Sequence, residues 1–187
     1  MIPPFNPSGV LPPYVGKDAT VRALVSSYDV TASELVGRFA TSPERVAVLT
    51  GLLTYRAQLH AIGIVRGYQW LDGSFVEDVE TLEGRPPGDV DVVTFASRPM
   101  GATDALAWAA FFQAHINCFN PKFLKANLKC EAYYVDLDRR PDLIVSDTQY
   151  WCGLFSHRRT GLWKGMLRLP LASDDMLAGS QLTGATL

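Results

Sequence analysis

Apolar and polar positions follow two different rhythms along this chain. Residues 18–40 hold two short helical patterns. The second opens at Thr31, with Glu34 three residues on, a capping box that predicts a helix to Phe39. A longer helix is expected next. Ser42 stands at the N-cap position and Pro43 at the first helical position. Val46, Leu49, Leu53 and Ala57 then recur at helical spacing until Gly63 ends the run. From Ile64 the rhythm shortens. Residues 66–71 read as a strand that leads into Asp72-Gly73-Ser74. The run Glu83-Gly84-Arg85-Pro86-Pro87-Gly88 reads as a loop, the acidic stretch from Glu77 to Gly88, with little apolar content, is expected to be one mobile loop, and Asp89 to Phe95 reads as a short β-rich strand. A helix is expected over 103–115, opening at Thr103 with Asp104 in its first turn. Strands are expected over 128–137 and 164–171. Together these elements predict an α/β (α+β) fold, a mixed sheet flanked by helices.

Before these elements lies a Pro-rich arm, with five prolines between Met1 and Val15. Ile2, Phe5, Val10, Leu11, Tyr14 and Val15 are spread along it, so it is expected to pack on the body. The expected organisation is an arm with short helices over 1–40, joined to a domain over 41–187, in one compact unit.

Composition narrows the function classes. The chain has 187 residues, 17 of them basic and 19 acidic. That length buries a core without disulfide or metal staples. No stretch of about 18 uncharged apolar residues occurs, so no membrane span and no membrane partner are expected. Met1 to Val15 has no Lys or Arg, which fits neither a secretory signal nor a transit peptide. Cys118, Cys130 and Cys152 match no zinc or disulfide spacing and read as reduced thiols of a cytoplasmic protein. A net charge of −2 excludes a generic nucleic-acid binder.

The placement of charge says more than its sum. Asp72 to Asp91 holds seven acids and one base, whereas Lys122 to Arg168 holds nine bases and five acids. Two readings follow: solvated loops that pair with each other, or a site where carboxylates hold divalent cations and Lys and Arg hold phosphates. The sharpest constellation is Gly73-Ser74 followed, after 14 intervening residues, by Asp89-Val90-Asp91. Residues i and i+2 of a strand share a face, so Asp89 and Asp91 project together. Paired carboxylates repel unless a proton or cation intervenes, and magnesium binds such pairs together with phosphate oxygens. Gly73 lets a phosphate approach the backbone, and the Ser74 hydroxyl can donate to it.

With these residues in view, the chain resembles the nucleotidyltransferase superfamily, the DNA polymerase β-like fold. The resemblance rests on Trp70-Leu71-Asp72-Gly73-Ser74-Phe75 and Asp89-Val90-Asp91-Val92-Val93. More narrowly, it looks like a family of small bacterial and phage-associated proteins of this fold. The likeness lies in Leu11-Pro12-Pro13, in Gly-Ser-Phe-Val before Pro-Gly-Asp-Val-Asp-Val-Val, and in Tyr150-Trp151, Leu154-Phe155, Arg158 and Lys164-Gly165. It implies a nucleotidyltransferase-like sheet and a third carboxylate on a neighbouring strand. Glu131 and Asp136 are the candidates, on opposite strand faces, and Glu131 is favoured because it opens the strand. The superfamily usually has Asp there.

The implied activity is transfer of a nucleoside monophosphate from a nucleoside triphosphate to an acceptor hydroxyl on a protein, RNA or small molecule. Asp89, Asp91 and Glu131 would hold Mg2+ or Mn2+. Gly73 and Ser74 would bind the nucleotide, and Arg158 and Lys164 would either neutralise its triphosphate or stand as solvated surface charge. The alternative is a non-catalytic nucleotide-binding or regulatory module with a protein partner, as in a toxin–antitoxin or phage-defence pair.

Overall fold

The computed structural model describes residues 1–184. Its elements are β1 (Tyr28–Asp29), α1 (Ala32–Phe39), α2 (Pro43–Ala61), β2 (Gly67–Asp72), α3 (Val79–Glu83), β3 (Val90–Ala96), α4 (Ala105–Ala114), α5 (Pro121–Leu128), β4 (Cys130–Asp136), α6 (Pro141–Phe155), β5 (Leu167–Pro170) and α7 (Asp175–Gly184). The strands form one mixed sheet in the order β1-β5-β2-β3-β4. The β1–β5 and β3–β4 pairs are parallel, and the other two are antiparallel. The fold is therefore mixed α/β. No helix among the described residues is long and apolar enough to cross a membrane.

Local chemistry explains the first two helices. The Thr31 hydroxyl accepts from the Glu34 amide, and the Glu34 carboxylate accepts from the Thr31 amide, completing the capping box. Ser42 caps α2 by accepting from the Arg45 amide, and Pro43 fills its first position. The buried stripe of α2 is not the one expected from Val46, Leu49, Leu53 and Ala57. It runs through Arg45, Val48, Leu49, Leu52, Tyr55, Arg56 and Leu59. Two arginines lie inside, so the inward face cannot be found from hydropathy alone. Arg56 is fully buried and donates to Gln69, Asp175 and the carbonyls of Pro170 and Leu171. Arg45 donates to the carbonyls of Phe75 and Glu77 and pairs with Glu80. The second arginine thus clamps the segment that follows Gly73.

The two sheet faces differ. Leu71, Val90, Val92, Ala132, Leu167 and Leu169 join the main core with α1, α2, α5 and α7. Val10 and Leu11 of the N-terminal arm are fully buried, and Leu11 belongs to that same core. Trp70, Val93, Phe95 and Val135 point the other way and pack with Phe155 of α6 and Met166 in a smaller cluster.

Three expected elements change. The first helical pattern of residues 18–40 forms only a single 3-10 turn, Arg22–Leu24, because Val25 bridges to Tyr14 and Tyr28 enters β1. Helix α4 starts two residues later than expected, at Ala105: Asp104 is its N-cap, accepting from the amides of Leu106 and Ala107. The segment from Glu77 to Gly88 is not one irregular acidic loop. Glu77 is buried, the Asp78 amide donates to the Gly9 carbonyl, and α3 occupies Val79–Glu83.

Helix α5 rests end-on against α2. A Cβ at Gly51 would lie 1.8 Å from the Leu128 carbonyl oxygen, and Leu128 immediately precedes the turn into β4. Gly51→Ala is therefore expected to push α5 away and destabilise the fold by about 3 kcal/mol. Urea unfolding measures it, and a midpoint equal to the wild type would show that this contact is not tight.

Candidate functional site

Strand register builds the site. Asp72 on β2 stands opposite Asp91 on β3, and Asp91 stands opposite Glu131 on β4. Residues directly opposite each other share a sheet face, so three carboxylates form a row across three strands. Asp89 precedes β3 and lies two residues before Asp91, on the same side. Carboxylate oxygens of Asp89, Asp91 and Glu131 lie within 4.8 Å of one another, each side chain half-buried. The row sits on the Trp70–Val93 face, at the strand ends where Gly73-Ser74 begins.

Asp136 does not join it. It ends β4 on the opposite face, pairs with Arg98 at 2.8 Å and accepts from the Asp138 amide. The parallel β3–β4 pairing decides the matter, because it sets the start of β4 beside the start of β3.

Gly73 has φ +81°, and a Cβ there would lie 2.6 Å from Asp91 Oδ2. Only glycine lets the chain turn so close to that carboxylate. The turn continues as a single 3-10 turn over Ser74–Val76. The Ser74 hydroxyl has no hydrogen-bond partner among the described residues, so it is free to donate.

Crowding raises the proton affinity of the row. Burial, and then the charges of Asp89 and Glu131, push Asp91 up to about 6. Burial pushes Asp72 up to about 7, against the pull of Lys164. Glu131 instead falls below its ordinary value, because Lys125 and the Tyr133 hydroxyl donate to it. The Lys125 ammonium lies against both Glu131 Oε2 and Asp89 Oδ2, at 2.7 Å from the latter but off the hydrogen-bonding direction. Those two acids hold its pKa above the ordinary value.

Lys164 and Arg158 are engaged elsewhere. Lys164 is 5% exposed and pairs with Asp72 at 3.1 Å and Glu77 at 2.8 Å. Arg158 pairs with Glu77 and Glu83. Lys164 is therefore not the solvated surface charge that was one of its two expected roles. It is a buried counter-charge that locks the segment after Gly73 to the strand end, and Arg158 braces the same segment from outside. Sequence reading singled out neither Lys125 nor Asp72. Lys125 stands six residues before Glu131, and only the fold around α5 returns it to the acids. Asp72 carried a signal in its place directly before Gly73-Ser74.

One protein family matches the chain, over residues 3–170, and its description is a family of unknown function, DUF6932. No curated protein and no solved structure matches it.

Two outcomes follow. Asp91 has a raised folded-state pKa, so its contribution to stability is full below about 4 and lost as pH rises through about 6. Asp91→Asn is thus expected to stabilise the metal-free protein by about 2 kcal/mol at pH 8 and by about half as much at pH 5. Chemical denaturation at the two pH values decides it; equal effects at both would refute the repulsion. Lys164→Met strands the buried Asp72 and Glu77 and is expected to cost about 3–5 kcal/mol. Adding Glu77→Gln should recover part of that loss, and additive losses in the double variant would dissolve the network.

Proposed function

The chain belongs to the DUF6932 family, and from that premise we propose that it is a divalent-cation-dependent nucleotidyltransferase. It moves a nucleoside monophosphate from a nucleoside triphosphate to an acceptor hydroxyl on a protein, RNA or small molecule. The observation that carries this reading is the meeting of the Asp89–Asp91 pair with Glu131, a residue of a different strand that is distant in sequence.

The donor set fits a hard cation. All three groups are carboxylates, their oxygens converge, and a cationic ammonium already lies against two of them. Asp89, Asp91 and Glu131 would hold Mg2+ or Mn2+, which when bound offsets the charge of a leaving pyrophosphate and lowers the pKa of the acceptor hydroxyl. The chain's own residues do the rest. Gly73 keeps Cβ bulk away from Asp91, so a phosphate can come close. The free Ser74 hydroxyl donates to it. Arg45, Lys164 and Arg158 hold the segment behind Ser74 in place, a preorganisation that spares ordering during binding. The reading implies a cytoplasmic location, where nucleoside triphosphates are at hand and free thiols such as Cys118, Cys130 and Cys152 stay reduced.

A second reading is a non-catalytic nucleotide-binding or regulatory module that works with a protein partner. One observation favours it: Lys125 already supplies the acids with positive charge.

Thermal unfolding with each of the four ribonucleoside triphosphates, with and without Mg2+, tests the proposal. A ligand at about a hundred times its Kd adds about 2.7 kcal/mol, a rise of roughly 5–10 °C. That rise should need Mg2+ and vanish in the Asp89→Asn/Asp91→Asn variant. A rise that survives in the variant sinks the site. Stabilisation without pyrophosphate release in the presence of candidate acceptors supports the second reading.

A further inference from the structure

Lys125 differs from Lys164, the other lysine that pairs with the row. Lys164 is buried and bonded to Asp72 and Glu77, whereas the Lys125 side chain is 51% exposed. It leaves α5 in that helix's last turn, and its half-exposed side chain brings the ammonium to Asp89 and Glu131. Nothing else among the described residues holds that ammonium. A long, half-exposed lysine stem rotates outward without disturbing the core. In the same row Asp72, which is 4% exposed, keeps Oδ1 without a hydrogen-bond partner.

We propose that Lys125 is a tethered stand-in for the divalent cation: its ammonium occupies Asp89 and Glu131 until a cation arrives together with the phosphates that receive the displaced lysine. This deepens the cation-site reading above and rests on it. The physical reason is competition for the same oxygens. A free cation must expel the ammonium from two carboxylates, and the net gain is only the difference between two attractions. A cation that brings a triphosphate gives the expelled ammonium a new anion, so the exchange becomes favourable. Cation alone then binds weakly, and cation with nucleotide binds cooperatively, a coupling that works equally in both directions. Without Lys125 the metal-free acids also face one another unscreened.

Titration calorimetry with Mn2+ alone on the full chain tests this, using Lys125→Gln, Lys125→Arg and, as a control, Lys122→Gln from the same helix. Lys125→Gln is expected to bind Mn2+ about tenfold tighter than the wild type or more, while the other two variants stay at wild-type affinity. With a non-hydrolysable nucleoside triphosphate present, the advantage of Lys125→Gln should disappear or reverse. The metal-free Lys125→Gln protein should melt below the wild type at pH 8 and regain that loss on adding Mn2+. Equal or weaker Mn2+ binding by Lys125→Gln overturns the proposal. If Asp91→Asn still abolishes Mn2+ binding in that case, the cation site itself stands. Persistence of the advantage with nucleotide overturns the transfer of Lys125 to phosphate. Absence of Mn2+ binding in the wild type and Lys125→Gln alike overturns both the proposal and the site.

Discussion

Carboxylates set opposite one another on neighbouring strands repel, and the surroundings of Asp72, Asp91 and Glu131 are organised around that repulsion. Hydrogen bonding fixes the strands, so the acids cannot drift apart without breaking the β2–β3 and β3–β4 ladders. What remains is to supply protons or positive charge. The elevated proton affinities of Asp72 and Asp91 and the two lysines that reach the row are the two forms of that answer. A globular core does not need such a row, because apolar residues in the same places pack without the cost of desolvating charge. Here the row stands at a strand end, beside a serine hydroxyl without a partner among the described residues.

The two lysines divide the work by burial. Lys164 approaches from within, and with Arg45 and Arg158 it fixes the stretch from Gly73 to Glu83 as a rigid wall. A buried ion pair contributes little net stability over an apolar replacement, but it defines geometry, since stranding either partner is expensive. Lys125 approaches from solvent. Its interaction is exchangeable because the ammonium regains water when it leaves. One network therefore holds the shape of this region, while Lys125 stays at its solvent side. The wall is also tied to the N-terminal arm through Val10, which bridges to Glu77, and Gly9, whose carbonyl accepts from Asp78. The Pro-rich start of the chain is in this way part of the site's support.

Much of this architecture was legible from residue order. The capping box at Thr31–Glu34, the Ser42-Pro43 helix start and the strands around Asp72 and Asp89 are local matters. A side chain bonding its own neighbouring amides, or a period of two, leaves a signature within a few residues. The side-by-side projection of Asp89 and Asp91 is likewise a property of extended backbone. The favouring of Glu131 over Asp136 was within reach because the two lie on opposite faces of one strand, but it also needed a parallel neighbour, which spacing does not state.

The rest depended on contacts between segments far apart in the chain. Arg45 and Arg56 turn inward because carbonyls and carboxylates from residues 69 to 80 and 170 to 175 gather around them. No hydropathy stripe announces an inward arginine, so the buried face of α2 was misplaced by the apolar pattern. Lys164 reads as one more surface charge until the fold sets it between Asp72 and Glu77, and Lys125 until α5 folds back over the start of β4. By itself the sequence determined which residues could bear chemistry and which local elements carry them, because those follow from covalent neighbours and backbone period. Tertiary structure alone decided which charges meet, because the energy of a buried or half-buried charge is set by partners that the chain reaches only after it has folded.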